Sequence, residues 1–392
     1  CSWSDGLPSS HDPVATVEEV RRRLHLAGRG GFTEGTYPAS SGVVPWTVPE
    51  LFPETEGDGG GLRTALSPAS PLARDFDDIV RHDAGAHGAL RVLRRYGLLF
   101  VRGTPGTSDA VAAFASAMSG GTAKFEGGSY LPSYRRRRWS SSLPSEDWKV
   151  GDAGYRGGML GDDEWTLTDG PMKTLYGQIW STDPFGMAGG QSMADSAYSC
   201  DSLPVHTDMT YYPNPPGLQI FNVVSTASQG GESVFVDGFA VAERLRLSNP
   251  KAFQTLSTLR RTYRCTDWET GWSLEASGPV IECAGGTDSP VRRIRHNDLD
   301  RLPDLLLEEE VDHDLYAEVE RAHAELNRLL GSDEYRLVVR MKAGDMVAVA
   351  NQRCLHGRHS FKIDAYNRRT VNGCYVSQVD LDSRFRMLGY WC

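Results

Sequence analysis

The sequence predicts a mainly β fold with flanking helices, its strands closed or sandwiched into a core of jelly-roll type. Two observations predict it. Short apolar runs bounded by turn residues recur along the chain and become dense after Lys173. Only a few segments carry helical spacing, enough to wrap such a core rather than to build one. No internal repeat is present.

The first 75 residues are rich in Gly, Pro and Ser, and Glu54–Gly61 reads as a loop or linker. Val17–Leu26 mixes charged and apolar positions and predicts a short helix. The ordered core is expected to begin near Asp75, leaving 1–74 as a poorly structured segment or remnant. His87–Tyr96 reads as a helix that stops at Gly97, and Leu98–Val101 as a buried strand. Gly120–Gly170 is irregular, and its four-arginine run Arg135–Arg138 reads as a solvated loop, with a basic binding patch as the alternative. Leu218–Val224 and Ser233–Val236 predict strands, and Phe239–Leu247 a helix. In Asp312–Leu330 the apolar residues Leu315, Val319, Ala322, Leu326 and Leu329 recur at helical spacing. Tyr335–Met341 and Met346–Ala350 predict strands around the turn Lys342–Asp345.

Composition narrows the function classes. The chain has 392 residues and a net charge of −10, which argues against a protein that neutralises nucleic-acid phosphates. No run of about 18 apolar residues appears, so no membrane span is expected. The 7 cysteines are scattered without CxxC or zinc-ribbon spacing, and a reducing compartment is the simpler reading. The chain begins at Cys1, and a fragment or processed chain is expected, for which a missing targeting peptide carries little meaning.

The most informative segment is Leu203–Asp208. His206 and Asp208 are separated by one residue, and on a strand such residues point to the same side, where they could meet one metal ion. Alone the pattern is weak. A second candidate stands far downstream at His356, with His359 as its rival. Two His and one carboxylate make the open triad of non-haem Fe(II) oxygenases, whereas structural zinc favours closed N/S sites. The remaining histidines, including His296 and His323, show no partner pattern and are read as surface or structural residues.

The segments HTDMTYYPNPPGLQIFNVV, GGESVFVDGF, NQRCLHGR and RTVNGCY, in that order, resemble the Fe(II)/2-oxoglutarate dioxygenases of carnitine biosynthesis. These are the trimethyllysine and γ-butyrobetaine dioxygenases, within the taurine-dioxygenase-like group. The resemblance runs from about Asp75 to the C-terminus, implies a double-stranded β-helix and makes 75–392 a catalytic domain. It implies His206, Asp208 and His356 as iron ligands and catalytic centre, and Arg369 as the partner of the distal carboxylate of 2-oxoglutarate. A guanidinium suits that task because it meets a carboxylate with two parallel hydrogen bonds. Ser233 matches a hydroxyl that contacts the cosubstrate.

Tyr176, Trp180, Tyr198 and Tyr375 match the family's aromatic cage for a quaternary ammonium. Such a head has no N–H to donate, so aromatic faces recognise it through cation–π attraction of about 0.5–2 kcal/mol per contact. Core packing is the alternative for each of them. Asp195 matches a position that looks like Asn in the butyrobetaine enzymes. An Asp there would repel a substrate carboxylate and attract an α-ammonium, which favours trimethyllysine. Asn297 matches a further polar substrate contact.

The resemblance thus implies hydroxylation of Nε-trimethyllysine at C3, using Fe(II), 2-oxoglutarate and O2, with ascorbate as reductant. Hydroxylation of γ-butyrobetaine is the near alternative. A non-catalytic jelly-roll protein that binds a quaternary ammonium is the alternative of another class. A small-molecule substrate, no nucleic acid, no membrane and a homodimer are the expectations for partners. The compartment is expected to be intracellular, mitochondrial or cytoplasmic. Three departures stand out. The family's N-terminal Cys/His zinc cluster is absent, the Trp of its D-N-W-R segment is Gln352 here, and the Arg135–Arg138 loop and Gly186–Gly190 have no counterpart.

Overall fold

A computed structural model describes residues 37, 41–52, 65–120, 122–126, 129–133, 170–182, 199–268, 271–303, 313–362 and 369–390. The expected helix at Val17–Leu26, the Glu54–Gly61 linker, the Arg135–Arg138 run and Gly186–Gly190 lie outside the described residues.

The described chain opens with α1 (Val48–Leu51), β1 (Ala73–Asp75), α2 (Phe76–Arg81), α3 (Asp83–Tyr96), β2 (Leu98–Arg102) and α4 (Ser108–Ser119). A hairpin, β3 (Thr122–Glu126) and β4 (Ser129–Ser133), precedes β5 (Ile179–Ser181) and β6 (Leu203–His206). Next come β7 (Leu218–Ser225), β8 (Gln229–Gly230), β9 (Ser233–Asp237), α5 (Gly238–Ser248) and α6 (Pro250–Thr258). Two further hairpins are β10 (Arg260–Asp267) with β11 (Trp272–Pro279), and β12 (Ile281–Cys283) with β13 (Val291–Ile294). The chain continues through α7 (His313–Leu330), β14 (Leu337–Val339), β15 (Met346–Ala350), β16 (Cys354–Arg358), β17 (Phe361–Lys362), β18 (Thr370–Val376) and α8 (Gln378–Met387).

Two sheets form the core. One has six strands in the order β1-β2-β15-β7-β18-β5, and the other has four in the order β14-β9-β16-β6. Their inner faces meet: the rings of Phe100 on β2 and Phe235 on β9 are 5.6 Å apart, edge to face. Among the described strands the sheets stay separate, so the jelly roll is a sandwich rather than a closed barrel. Leu98 to Val101 are buried without alternation, because helices cover the outer face of that sheet with Leu90, Leu93 and Phe114. A second core lies between α5, α6 and α7, where Phe239, Phe253 and Leu326 pack behind Val236 and Leu355 of the smaller sheet.

Helix α3 starts at Asp83, a turn before the expected His87, and ends where Gly97 adopts φ 71° and donates its N–H to Leu93 O. A Cβ at Gly97 would stand 2.7 Å from Cys354 Sγ, so both the turn and the space require glycine. The strand expected over Tyr335–Met341 narrows to Leu337–Val339, because Tyr335 and Arg336 donate their N–H groups back to Ser332 O. Ordered packing starts ahead of Asp75, where the sequence placed its onset. Trp46 is 2% exposed, its indole donates to Tyr96 O and its backbone N–H to Asp237.

Candidate active site

Strands β6 and β16 are antiparallel neighbours, and His206 stands directly opposite His356. Opposed residues project from the same face of a sheet, and the two imidazole centroids are 4.5 Å apart. Asp208 follows two residues beyond His206 and turns back to the same side. Its Oδ1 lies 3.2 Å from His206 Nε2 and 3.5 Å from His356 Nε2. Thr207, between them, points away and bonds His296 O. The alternation expected from the H-x-D spacing therefore holds, although β6 ends at His206.

The carboxylate is firmly held. Tyr375 Oη donates to Asp208 Oδ2 at 2.7 Å, and Gln219 Nε2 donates to the same oxygen. Asn351 grips the backbone on both sides of the residue. Its Oδ1 accepts from Asp208 N at 2.7 Å, and its Nδ2 donates to Asp208 O at 3.0 Å. That clamp holds Met209 in the left-handed region at φ 54°, a conformation costing on the order of 1 kcal/mol or more for such a residue. Gln352 donates to Pro215 O, bracing the same loop.

Protonation states suit a metal. Burial works against the Asp208 charge, yet the facing His356 and His206 outweigh it and bring its pKa down to about 2. Burial holds His356 down to about 3, as a neutral imidazole. Burial opposes protonation of His206, but the Asp208 carboxylate raises its pKa overall. Pro204 O lies 2.8 Å from His206 Nδ1, a partner that fixes one proton there and aims Nε2, which bonds Asp208 in the metal-free chain, at the position between the three groups. Two imidazoles and one carboxylate, all within 4.8 Å of one another, are a donor set for a divalent transition metal, which would displace the proton that His206 shares with Asp208.

Arg369 lies just before β18, its guanidinium 5.6 Å from the centre of the Phe361 ring. Among the described residues it has no carboxylate partner. Burial and the charge of Arg358 press its pKa down to about 10, a penalty that an incoming carboxylate would relieve. Gly231 backs the Arg369 side chain, which brings the Gly-Gly-Glu-Ser segment alongside it. Ser233, two residues on, pairs across to Arg358, and its hydroxyl touches Met341 Sδ at 3.9 Å.

The aromatic positions assemble in part. Trp180 is buried at 6.4 Å from the Tyr375 ring and 5.7 Å from that of Phe221, which in turn stands 5.2 Å from His356. Gly373 lies opposite Trp180 in the sheet, and a Cβ there would fall 2.2 Å from the indole. Tyr176 Oη meets Tyr211 Oη at 3.5 Å. Tyr375 has a second duty that the sequence did not show, its bond to Asp208. Asn297 makes a local turn, donating to Asp300 and accepting from Leu299 N. Asp195 and Tyr198 lie outside the described residues. The sequence reading missed Gln219 and the Asn351 clamp, since neither carries a spacing signal.

Fold and site together define a jelly-roll protein with an open two-histidine, one-carboxylate centre. The family model described as Taurine catabolism dioxygenase TauD, TfdA family matches residues 64–375, and the chain belongs to that family. Trimethyllysine dioxygenase, mitochondrial, of Bos taurus is 32% identical over 220 residues, covering 55% of this chain and 49% of that protein. Gamma-butyrobetaine dioxygenase of Homo sapiens is 26% identical over 346 residues, covering 86% of this chain and 70% of that protein. Gamma-butyrobetaine dioxygenase of Pseudomonas sp. (strain AK-1) is 33% identical over 205 residues, covering 50% and 49%. The chain spans about half the length of the trimethyllysine dioxygenases it matches. Among the described residues, no helix is long and apolar enough to cross a membrane.

Proposed function

We propose that the chain is an Fe(II)/2-oxoglutarate-dependent dioxygenase that hydroxylates Nε-trimethyllysine at C3. The observation that carries this reading is the convergence of His206, Asp208 and His356 with their donor atoms turned on one point. Bound there, iron would supply the oxidation in which 2-oxoglutarate and O2 become succinate, CO2 and one hydroxyl oxygen on the substrate. Ascorbate would keep the iron reduced.

The chain's own residues set up that chemistry. His206, giving up the proton it shares with Asp208, neutral His356 and anionic Asp208 would hold the ion, and Tyr375, Gln219 and Asn351 keep the carboxylate in place. Arg369 receives the distal carboxylate of the cosubstrate as a fork, with Ser233 as a further polar contact. Trp180, Tyr176 and Tyr375, with Tyr198, present ring faces to the trimethylammonium head. Asp195 and Asn297 take the amino-acid end of the substrate. Holding both ends fixes which carbon lies nearest the metal, and that positioning sets the regiochemistry.

The longer match to the human gamma-butyrobetaine dioxygenase favours one second reading, hydroxylation of γ-butyrobetaine. One experiment separates them. Anaerobically iron-loaded protein receives 2-oxoglutarate, ascorbate, air and both substrates in competition, and products are read by mass spectrometry. Oxygen gained by trimethyllysine supports the proposal. Oxygen gained by butyrobetaine keeps the iron site and overturns the part given to Asp195. No succinate would sink the dioxygenase reading.

A further inference from the structure

The chain contains a second H-x-D pattern, His296-Asn297-Asp298, and a distant histidine, His323, closes on it as His356 closes on the first. The sequence reading gave His296 and His323 no partner, and the fold corrects this. Helix α7 lays His323 against the segment after β13. The two rings stand 6.4 Å apart at an interplanar angle of 27°, and Asp298 supplies a carboxylate oxygen within 4.8 Å of a nitrogen of each.

We propose that His296, Asp298 and His323 form a second divalent-cation site, separate from the first, that takes zinc. Three observations carry it. His323 is 1% exposed, and neither ring nitrogen has a hydrogen-bond partner among the described residues. A buried imidazole without a partner on either nitrogen is an unusual vacancy in the polar accounting of a core. Second, the site has supporting contacts of the kind that orient metal ligands. Asn327 donates to Asp298 Oδ2 at 2.7 Å and also reaches the His296 side chain, while Arg301 Nε donates to Asp298 Oδ1 at 3.1 Å. Third, the charges around the pocket cancel before an ion arrives: Arg301 and Arg261 are offset by Glu320, one turn before His323 on α7, and by Asp298, which Arg301 also pairs.

The donors are of the same kinds as at the first centre. Two imidazoles and one carboxylate are a set that zinc also accepts, with water in a fourth position on the exposed side of Asp298, and the surroundings rather than the donors separate this centre from the first. None of the described groups that suggest a cosubstrate pocket at the first site stands here. The ion would act as a clip. It ties α7 to the segment whose His296 carbonyl receives the Thr207 N–H, between two ligands of the first centre.

The test uses the full chain stripped of metal and dialysed against Zn2+, with bound metal counted by mass spectrometry and folding followed by circular dichroism. A His206→Ala/His356→Ala variant, lacking the first centre, is expected to retain one equivalent of zinc. His323→Ala in that background is expected to lose it. Asp298→Asn in the otherwise unaltered chain changes an exposed residue and provides an independent check. It is expected to lower the count from two equivalents to one. A double variant that binds no zinc, or zinc that survives both His323→Ala and Asp298→Asn, overturns the proposal.

Discussion

At the residue scale, the Asp208 carboxylate depends on neighbours that never touch the metal position. Tyr375→Phe removes the hydroxyl that donates to Oδ2 and leaves the ring in place. Outer partners of this kind are worth about 10–100-fold in metal affinity, so iron affinity of the variant, read by titration under anaerobic conditions, should fall by that order. Arg369→Lys keeps the charge and loses the fork. One charge-assisted bond is worth about 1.5–3 kcal/mol, so the KM for 2-oxoglutarate should rise roughly tenfold or more. An unchanged KM would remove Arg369 from cosubstrate binding. Gly373→Ala forces a methyl into the Trp180 indole. Its expected signature is a weakened quaternary-ammonium substrate with iron binding retained, read by separate titrations.

At the element scale, one buried ion pair joins segments distant in sequence. Arg353, entering β16, meets Asp237 at the end of β9 with Nη2–Oδ2 at 2.7 Å and Nε–Oδ1 at 3.1 Å. The same guanidinium donates to Arg94 O, Arg95 O and Val44 O, while Asp237 accepts from Trp46 N and Phe239 N. Asp237→Ala would leave Arg353 buried without its counter-ion, a loss of about 3–5 kcal/mol that a urea unfolding midpoint would register. The pair also shows what sequence can and cannot carry. Strands Leu218–Ser225 and Met346–Ala350, and the apolar face of α7, were legible because burial writes itself as local periodicity. The H-x-D spacing was legible for the same reason. The Asp237–Arg353 pair, the Asn351 clamp and the His296–His323 contact were not, because their partners come from separate elements. Trp46 was hidden by its setting in a Gly- and Pro-rich stretch.

At the scale of the whole molecule, buried histidines make the metal-free chain sensitive to acid. Burial holds His356 to about 3, and burial together with Arg301 holds His323 to about 3. An unfolded imidazole takes a proton near pH 6.5. The unfolded chain therefore binds more protons between about pH 6.5 and 3, and stability should decline as pH falls through that window. His206, raised by Asp208, acts in the opposite direction, and its contribution is lost as pH rises through its folded value. Each depressed histidine should cost on the order of 2 kcal/mol between about pH 7 and 5, visible in urea midpoints of chelated protein. Equal midpoints at the two pH values would contradict the buried neutral assignment.

The clamp on Asp208 comes from Asn351, 143 residues away. A ribosome adds about 5–20 residues per second, so a nascent chain carries His206 and Asp208 for several seconds before Asn351 and His356 exist. In that interval two of the three ligands are present and the geometry is not. Metal retention would thus record that synthesis has passed β16: a product cut short before that strand carries the H-x-D motif without the histidine that completes the centre.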